Sequence, residues 1–333
     1  MENAGYQKQF VELLKQTVPA HISLAEEVSE VLKISADSAY RRLRGETDLS
    51  LDEVMQLARH FQISMDSLWS MQPGAVTFQV HPFTGAMDGF AVYLESLHRD
   101  LQLLLKADSS HVTYAAEDLP VFYSLFFPSL ARFKVGYWNK STLNVQSLQS
   151  LCIEDIPIPE HWFVLMREIA ESFVHLNTTE IWNEDSLKST IRQVRYYWEA
   201  GFIREKETAL AVCSDLVKII ELLRSQCENG YKRSPGSGQQ TTTTYELYTC
   251  DLMIGSNCVI IQAGEREASY IGYNSFNYMR TLNSWFNTQE KAWMQNLIAK
   301  STLISKVAEK QRFQFFKELL KQTEQLRADI VAV

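Results

Sequence analysis

A chain of 333 residues, 46% hydrophobic and 11% aromatic, has enough apolar surface to build two or three domains. Its formal net charge of −8 argues against strong, sequence-blind affinity for nucleic acid. The five cysteines, Cys152, Cys213, Cys227, Cys250 and Cys258, are odd in number and widely spaced without a C-x-x-C pair, a pattern of buried thiols rather than of a disulfide framework or a zinc finger.

Residues 6–18 read as a first helix. Ser23 is placed to cap a second, whose apolar positions Leu24, Val28, Val31 and Leu32 recur at helical spacing, with Glu26 and Glu27 near its positive end. Lys33-Ile34-Ser35 supplies a short turn, and Ser35 caps a third helix that runs from Ala36 and stops at Gly45. Ser50 caps a fourth, striped by Leu51, Val54, Met55, Leu57, Ala58 and Phe61, and a last short turn at 65–68 makes about five helices. At 100° per residue the third helix groups Ala36, Ala39, Tyr40 and Leu43 on a packing side and spreads Asp37, Ser38, Arg41, Arg42 and Arg44 over an outward side.

This arrangement resembles the lambda repressor and Cro family of helix-turn-helix domains, the xenobiotic-response-element type, over residues 6–70. Leu32-Lys33-Ile34-Ser35 occupies the turn, with Lys33 where the family has glycine, so that its backbone must take a costly left-handed conformation or form another turn. Arg44-Gly45 matches the end of the recognition helix, Ser50-Leu51-Asp52 the next helix start, and Ile63-Ser64-Met65-Asp66-Ser67-Leu68 the closing segment. The resemblance implies a DNA reader in which Asp37, Ser38 and Arg41 reach base edges while Lys33, Arg42 and Arg44 contact phosphates. Residues 1–70 hold seven Lys and Arg against eleven Asp and Glu, so one copy would bind double-stranded DNA weakly, and the expected form is a homodimer on two half-sites.

Gln72-Pro73-Gly74 marks a boundary, and residues 71–84 read as a linker or short strand carrying Val76, Phe78 and Val80. The remainder, 85–333, reads as an α+β domain for dimerisation and effector sensing. Its expected helices are 87–106, 159–176, 185–200, 204–227, 287–305 and 307–328, and residues 111–116 form a strand. Residues 122–138 are crowded with aromatics, Phe122, Tyr123, Phe126, Phe127, Phe133, Tyr137 and Trp138, which suit a core better than a pocket for a small apolar effector. Lys232 to Thr244 has the composition of a mobile loop. After it, 245–254 and 258–263 flank Gly255-Ser256-Asn257 as an antiparallel hairpin, to which 268–273 would add a third strand. Tyr114-Ala-Ala-Glu-Asp-Leu-Pro-Val-Phe and Lys300-Ser-Thr-Leu-Ile-Ser are similar to the C-terminal region of uncharacterised transcriptional regulators from Bacteroidetes bacteria, which carry no assigned ligand.

The overall expectation is a mainly α protein with a smaller β component: a five-helix lambda-repressor-like domain, then an α+β domain with a hairpin or three-stranded sheet. The first residues lack a basic region followed by an apolar run, and the longest apolar stretch, 119–131, is short and broken by Pro120 and Pro128, so a cytoplasmic location without membrane contact is expected. No nucleophile elbow, phosphate-binding glycine loop or zinc-protease motif occurs, and Glu95 and His98 lack the second E-x-x-H copy of a carboxylate-bridged metal site. Catalysis, a cofactor and a metal are therefore not expected. A protein-docking module built on the same helices is the alternative to an operator-binding regulator.

Overall fold

The turn after the second helix shows how closely local sequence governs the first part of this fold. In a computed structural model describing residues 5–18, 22–61, 63, 65, 75–80, 83, 86–237 and 240–332, helices α1 (Tyr6–Thr17), α2 (Leu24–Leu32), α3 (Ala36–Leu43) and α4 (Leu51–His60) each fall where the apolar spacing places them. Ser23, Ser35 and Ser50 all cap as expected, and Ser50 forms a full capping box with Glu53. Lys33 takes the left-handed conformation, φ 55 and ψ 44, so the turn keeps its glycine-type shape and bears strain of about 1 kcal/mol. Phe10, Leu14, Val28, Ala39, Leu57 and Ala58 form the buried centre of these helices. A fifth turn at 65–68 lies outside the described residues apart from Met65, as does the Gln72-Pro73-Gly74 boundary.

The chain divides into two compact units, Met1–Gln79 with Thr281–Gln289, and Val80–Arg280 with Glu290–Val333. The fold is mainly α with a smaller β component, and its strands make one mixed sheet: β1 (Gln79–Val80), β2 (Ser110–Ala116), β3 (Asn177–Trp182), β4 (Tyr245–Thr249), β5 (Cys258–Ala263), β6 (Arg266–Tyr273), β7 (Asn277–Thr281) and β8 (Thr302–Leu303). They lie in the order β1-β7-β6-β5-β2-β3-β4-β8. β3 runs parallel to both β2 and β4, and helical crossovers join the three. Helix α5 (Met87–Leu105) precedes β2, the first crossover carries α6 (Val121–Ser124), α7 (Pro128–Tyr137) and α8 (Glu160–Val174), and the second carries α9 (Lys188–Glu199) and α10 (Lys206–Asn229). The chain closes with α11 (Ser284–Ala299) and α12 (Glu309–Ala332).

Strand alternation sorts two cores. Val112, Tyr114 and Ala116 face the large one, where α5 packs on α8 and α10 on α12. Ala115, Ile181, Cys258 and Ile260 face the other way, onto Met294 and Leu297. The aromatic stretch belongs to the large core: Tyr123, Phe127, Phe133 and Trp138 are buried, and Phe122 stacks on Phe173 with centroids 4.1 Å apart.

Several expectations need correction. β4 and β5 do not form a hairpin across Gly255-Ser256-Asn257, because β4 ends at Thr249 and pairs with β3 and β8, while β2 and β3 lie between it and β5. The hairpin is β5 with β6, closing between Ala263 and Arg266, with Gly264 at φ +59 supplying the turn. β3, β7 and β8 were not expected, so the sheet is larger than a hairpin or three strands. Residues 232–237 and 240–244, the described part of the expected loop, contain no helix or strand. Lys232 is fully buried and donates to the Phe173 carbonyl at 2.7 Å, and Thr241 Oγ1 donates to the Lys232 carbonyl at 2.6 Å.

Candidate nucleic-acid interface

The outward face of α3 is set by how few of its residues pack. Ala39 is buried and Leu43 half-buried, and these two positions anchor the eight-residue helix. Tyr40, expected on the packing side, is 52% exposed, and Ala36 is exposed as well. A short helix held by one narrow strip leaves more of its circumference open than an even division of the wheel assumes. The exposed stripe is Asp37, Tyr40, Arg41 and Arg44, related by i, i+3, i+4 and i+7 spacing. Lys33 is exposed just before it, at the C-terminal cap of α2. Ser38 is half-buried, and its hydroxyl is engaged 2.9 Å from that of the cap residue Ser35.

Arg42 departs from the phosphate-contact role that the resemblance implied. Its side chain is only 19% exposed and turns inward to Glu53, with Nε and Nη2 donating to the same carboxylate oxygen at 3.1 and 2.9 Å. The Arg42 guanidinium holds the Glu53 carboxyl below the usual carboxylate range, helped by the Ser50 backbone N–H. One carboxylate therefore caps α4 and fixes the outer side of α3. Gln7 fixes the other end: its Nε2 donates to the carbonyls of Arg42 and Thr47 at 3.0 and 2.8 Å, and its Oε1 accepts from the Leu49 N–H at 2.9 Å. A side chain of α1 thus holds the chain that leaves α3.

Residues 6–96 match the family model of the BetR domain. That domain is helix-turn-helix-like and associated with transcription regulators, which agrees with the capped helices and the arginine-bearing outward face. The BetR match spans helices α1 to α4 and the first half of α5, and it names no finer kinship with lambda repressor or Cro. No curated protein and no solved structure matches the chain.

The structure places Asp37, Arg41 and Arg44 on one exposed stripe, leaves Lys33 exposed at the end of α2, and turns Arg42 inward to Glu53. Sequence reasoning missed Tyr40, Gln7, Glu46 and Glu53. Tyr40 was legible in principle, because it falls between Ala36 and Arg44 on the wheel and only a wide packing face would bury it. Gln7 carried no signal, since its partners are backbone atoms 35 to 42 residues away. Among the described residues no group of three or more His, Cys, Asp or Glu is arranged to hold a metal, and no helix is long and apolar enough to cross a membrane.

Proposed function

We propose that the protein is a sequence-specific DNA-binding transcription regulator that reads duplex DNA with α3 of its BetR-matching segment. The observation that carries this is the exposed stripe of Asp37, Tyr40, Arg41 and Arg44 on a helix capped and clamped by its neighbours. Arg41 suits bidentate recognition of guanine, Asp37 suits a cytosine amino group, and Tyr40 offers a ring edge to a thymine methyl. Lys33 and Arg44 are the phosphate contacts. Arg42 positions α3 through Glu53 and makes no DNA contact in this reading.

The acidic balance of residues 1–70 and the small size of the stripe favour a homodimer on paired half-sites, with the second unit joining the copies. An apolar effector is not part of the proposal, because the aromatic residues that suggested one are packed on each other in the core. The test is selection of duplexes from a random library by the full-length protein, with an Arg41→Ala, Arg44→Ala double variant alongside. The expected result is a paired motif with half-sites about 10 bp apart, centre to centre, lost in the variant. No enrichment at low salt would instead favour a protein-docking module.

A further inference from the structure

Glu46 sits at the end of the reading helix where helix electrostatics do not favour it. A carboxylate just past a helix C-terminus faces the negative end of the macrodipole, so its presence there gains nothing for α3. Its position is nonetheless fixed. Gly45, at φ +75, donates its N–H to the Arg42 carbonyl at 3.0 Å, and the Glu46 N–H donates to the Arg41 carbonyl at 2.9 Å. These two bonds are the pair that closes a helix in a Schellman motif, and they lock the Glu46 backbone against the last turn.

From that anchor the carboxylate reaches both exposed arginines of the stripe. Arg44 Nε lies 3.1 Å from Oε1 and its Nη2 donates to Oε2 at 3.4 Å, a two-toothed grip of the kind guanidinium makes on phosphate. Arg41 Nε lies 3.9 Å from Oε2 of the same group. All three side chains are about half exposed, so no packing requirement explains the grouping. Arg42, the remaining arginine of the helix, is held by a different carboxylate and takes no part.

We propose that Glu46 is a built-in phosphate surrogate: it occupies Arg41 and Arg44 in the free protein, so that duplex DNA must displace it and nonspecific duplex is bound more weakly than the arginines alone would allow. This rests on the DNA-binding reading and specifies how that site is regulated. A phosphate backbone offers several negative groups along α3 and displaces one carboxylate when the base contacts also form. On a duplex without the right bases the exchange brings little net gain, which widens the gap between specific and nonspecific binding.

The test measures full-length Glu46→Gln, Arg41→Ala/Arg44→Ala and the triple variant against wild type on a random-sequence 20-bp duplex by fluorescence anisotropy over a salt series. Glu46→Gln should bind nonspecific duplex up to about fivefold more tightly at low salt, with the gain shrinking as salt rises. In the background lacking both arginines the same substitution should give little gain. A gain of equal size in that background would mean simple repulsion between Glu46 and DNA and would overturn the surrogate role. Weaker binding by Glu46→Gln would also overturn it, since Glu46 would then be orienting the arginines for DNA. If wild type and Glu46→Gln both fail to bind any duplex at low salt while remaining folded by circular dichroism, the DNA-binding reading itself fails with it.

Discussion

Arg44 in the first unit is more than half exposed and pairs with Glu46, whereas Glu180 and Lys232 in the second unit have no exposed surface at all. Glu180 on β3 accepts from Tyr123 OH at 2.6 Å and Trp182 Nε1 at 2.9 Å, and burial pushes its carboxyl up. Burial pushes the Lys232 ammonium down to about 7. Lys134 is buried too, with Nζ donating to Thr190 Oγ1 at 2.6 Å and Gln193 Oε1 at 3.0 Å. The first unit keeps Arg41 and Arg44 at the surface, where the proposed DNA partner would meet them. The second commits charges to its interior, where they can only hold the sheet and its crossovers together. Loss of charge should therefore cost binding in one unit and stability in the other.

The largest break in that comparison is expected from Glu180→Ala. It strands Tyr123 OH and Trp182 Nε1 in the core and should lower stability by about 3 kcal/mol in urea unfolding followed by tryptophan fluorescence. A loss below 1 kcal/mol would show that the buried carboxylate is not structural.

Lys232 gives a pH signature of the same interior. Between about pH 7 and 9 the unfolded chain keeps a proton on this lysine that the folded chain has released, so wild-type stability should rise with pH across that interval. Above it the buried thiols, with Cys213 pushed up to about 11, act in the opposite direction. Lys232→Met should flatten the rise, and a slope unchanged by the substitution would remove Lys232 as its source.

Arg42 sharpens the comparison from the other side, as a charge of the first unit that behaves like one of the second. Arg42→Ala should destabilise the capped helices by about 1 kcal/mol, because the guanidinium and Glu53 are both largely covered. It should leave the salt dependence of DNA binding unchanged. A flatter salt slope would return Arg42 to the phosphate contacts.

The smallest effect is expected at the turn. Lys33→Gly removes the left-handed strain and should stabilise the fold by about 0.5 kcal/mol in thermal unfolding, while weakening DNA binding by the loss of one charge. Any destabilisation would mean that Lys33 is not strained.

The first unit was legible because its instructions are local. Ser35 caps three residues ahead, Gly45 ends the helix it follows, and Ser50 with Glu53 forms a box within one turn. β3 was illegible for the opposite reason. Asn-Thr-Thr-Glu-Ile-Trp falls between the expected helices 159–176 and 185–200 and carries a carboxylate, and the partners that make a buried Glu180 tolerable are Tyr123, from a distant crossover, and Trp182. β8 is two residues long and exists only by pairing with Tyr248 and Thr249. The pairing of β4 was misread because register and partner in a mixed sheet depend on crossovers that the strand's own residues do not encode. At the interface, Arg42 looked like its neighbours until Glu53, eleven residues on, drew it inward.

The most direct measurement is the salt dependence of full-length binding to a duplex recovered by selection, wild type against the Arg41→Ala, Arg44→Ala variant, with unfolding curves recorded for both. The predicted result is that the variant loses specificity and its slope of log affinity against log salt falls by roughly 1 to 2, while stability changes by less than about 0.5 kcal/mol. Equal affinity and slope for the two proteins would contradict α3 as the DNA-reading element.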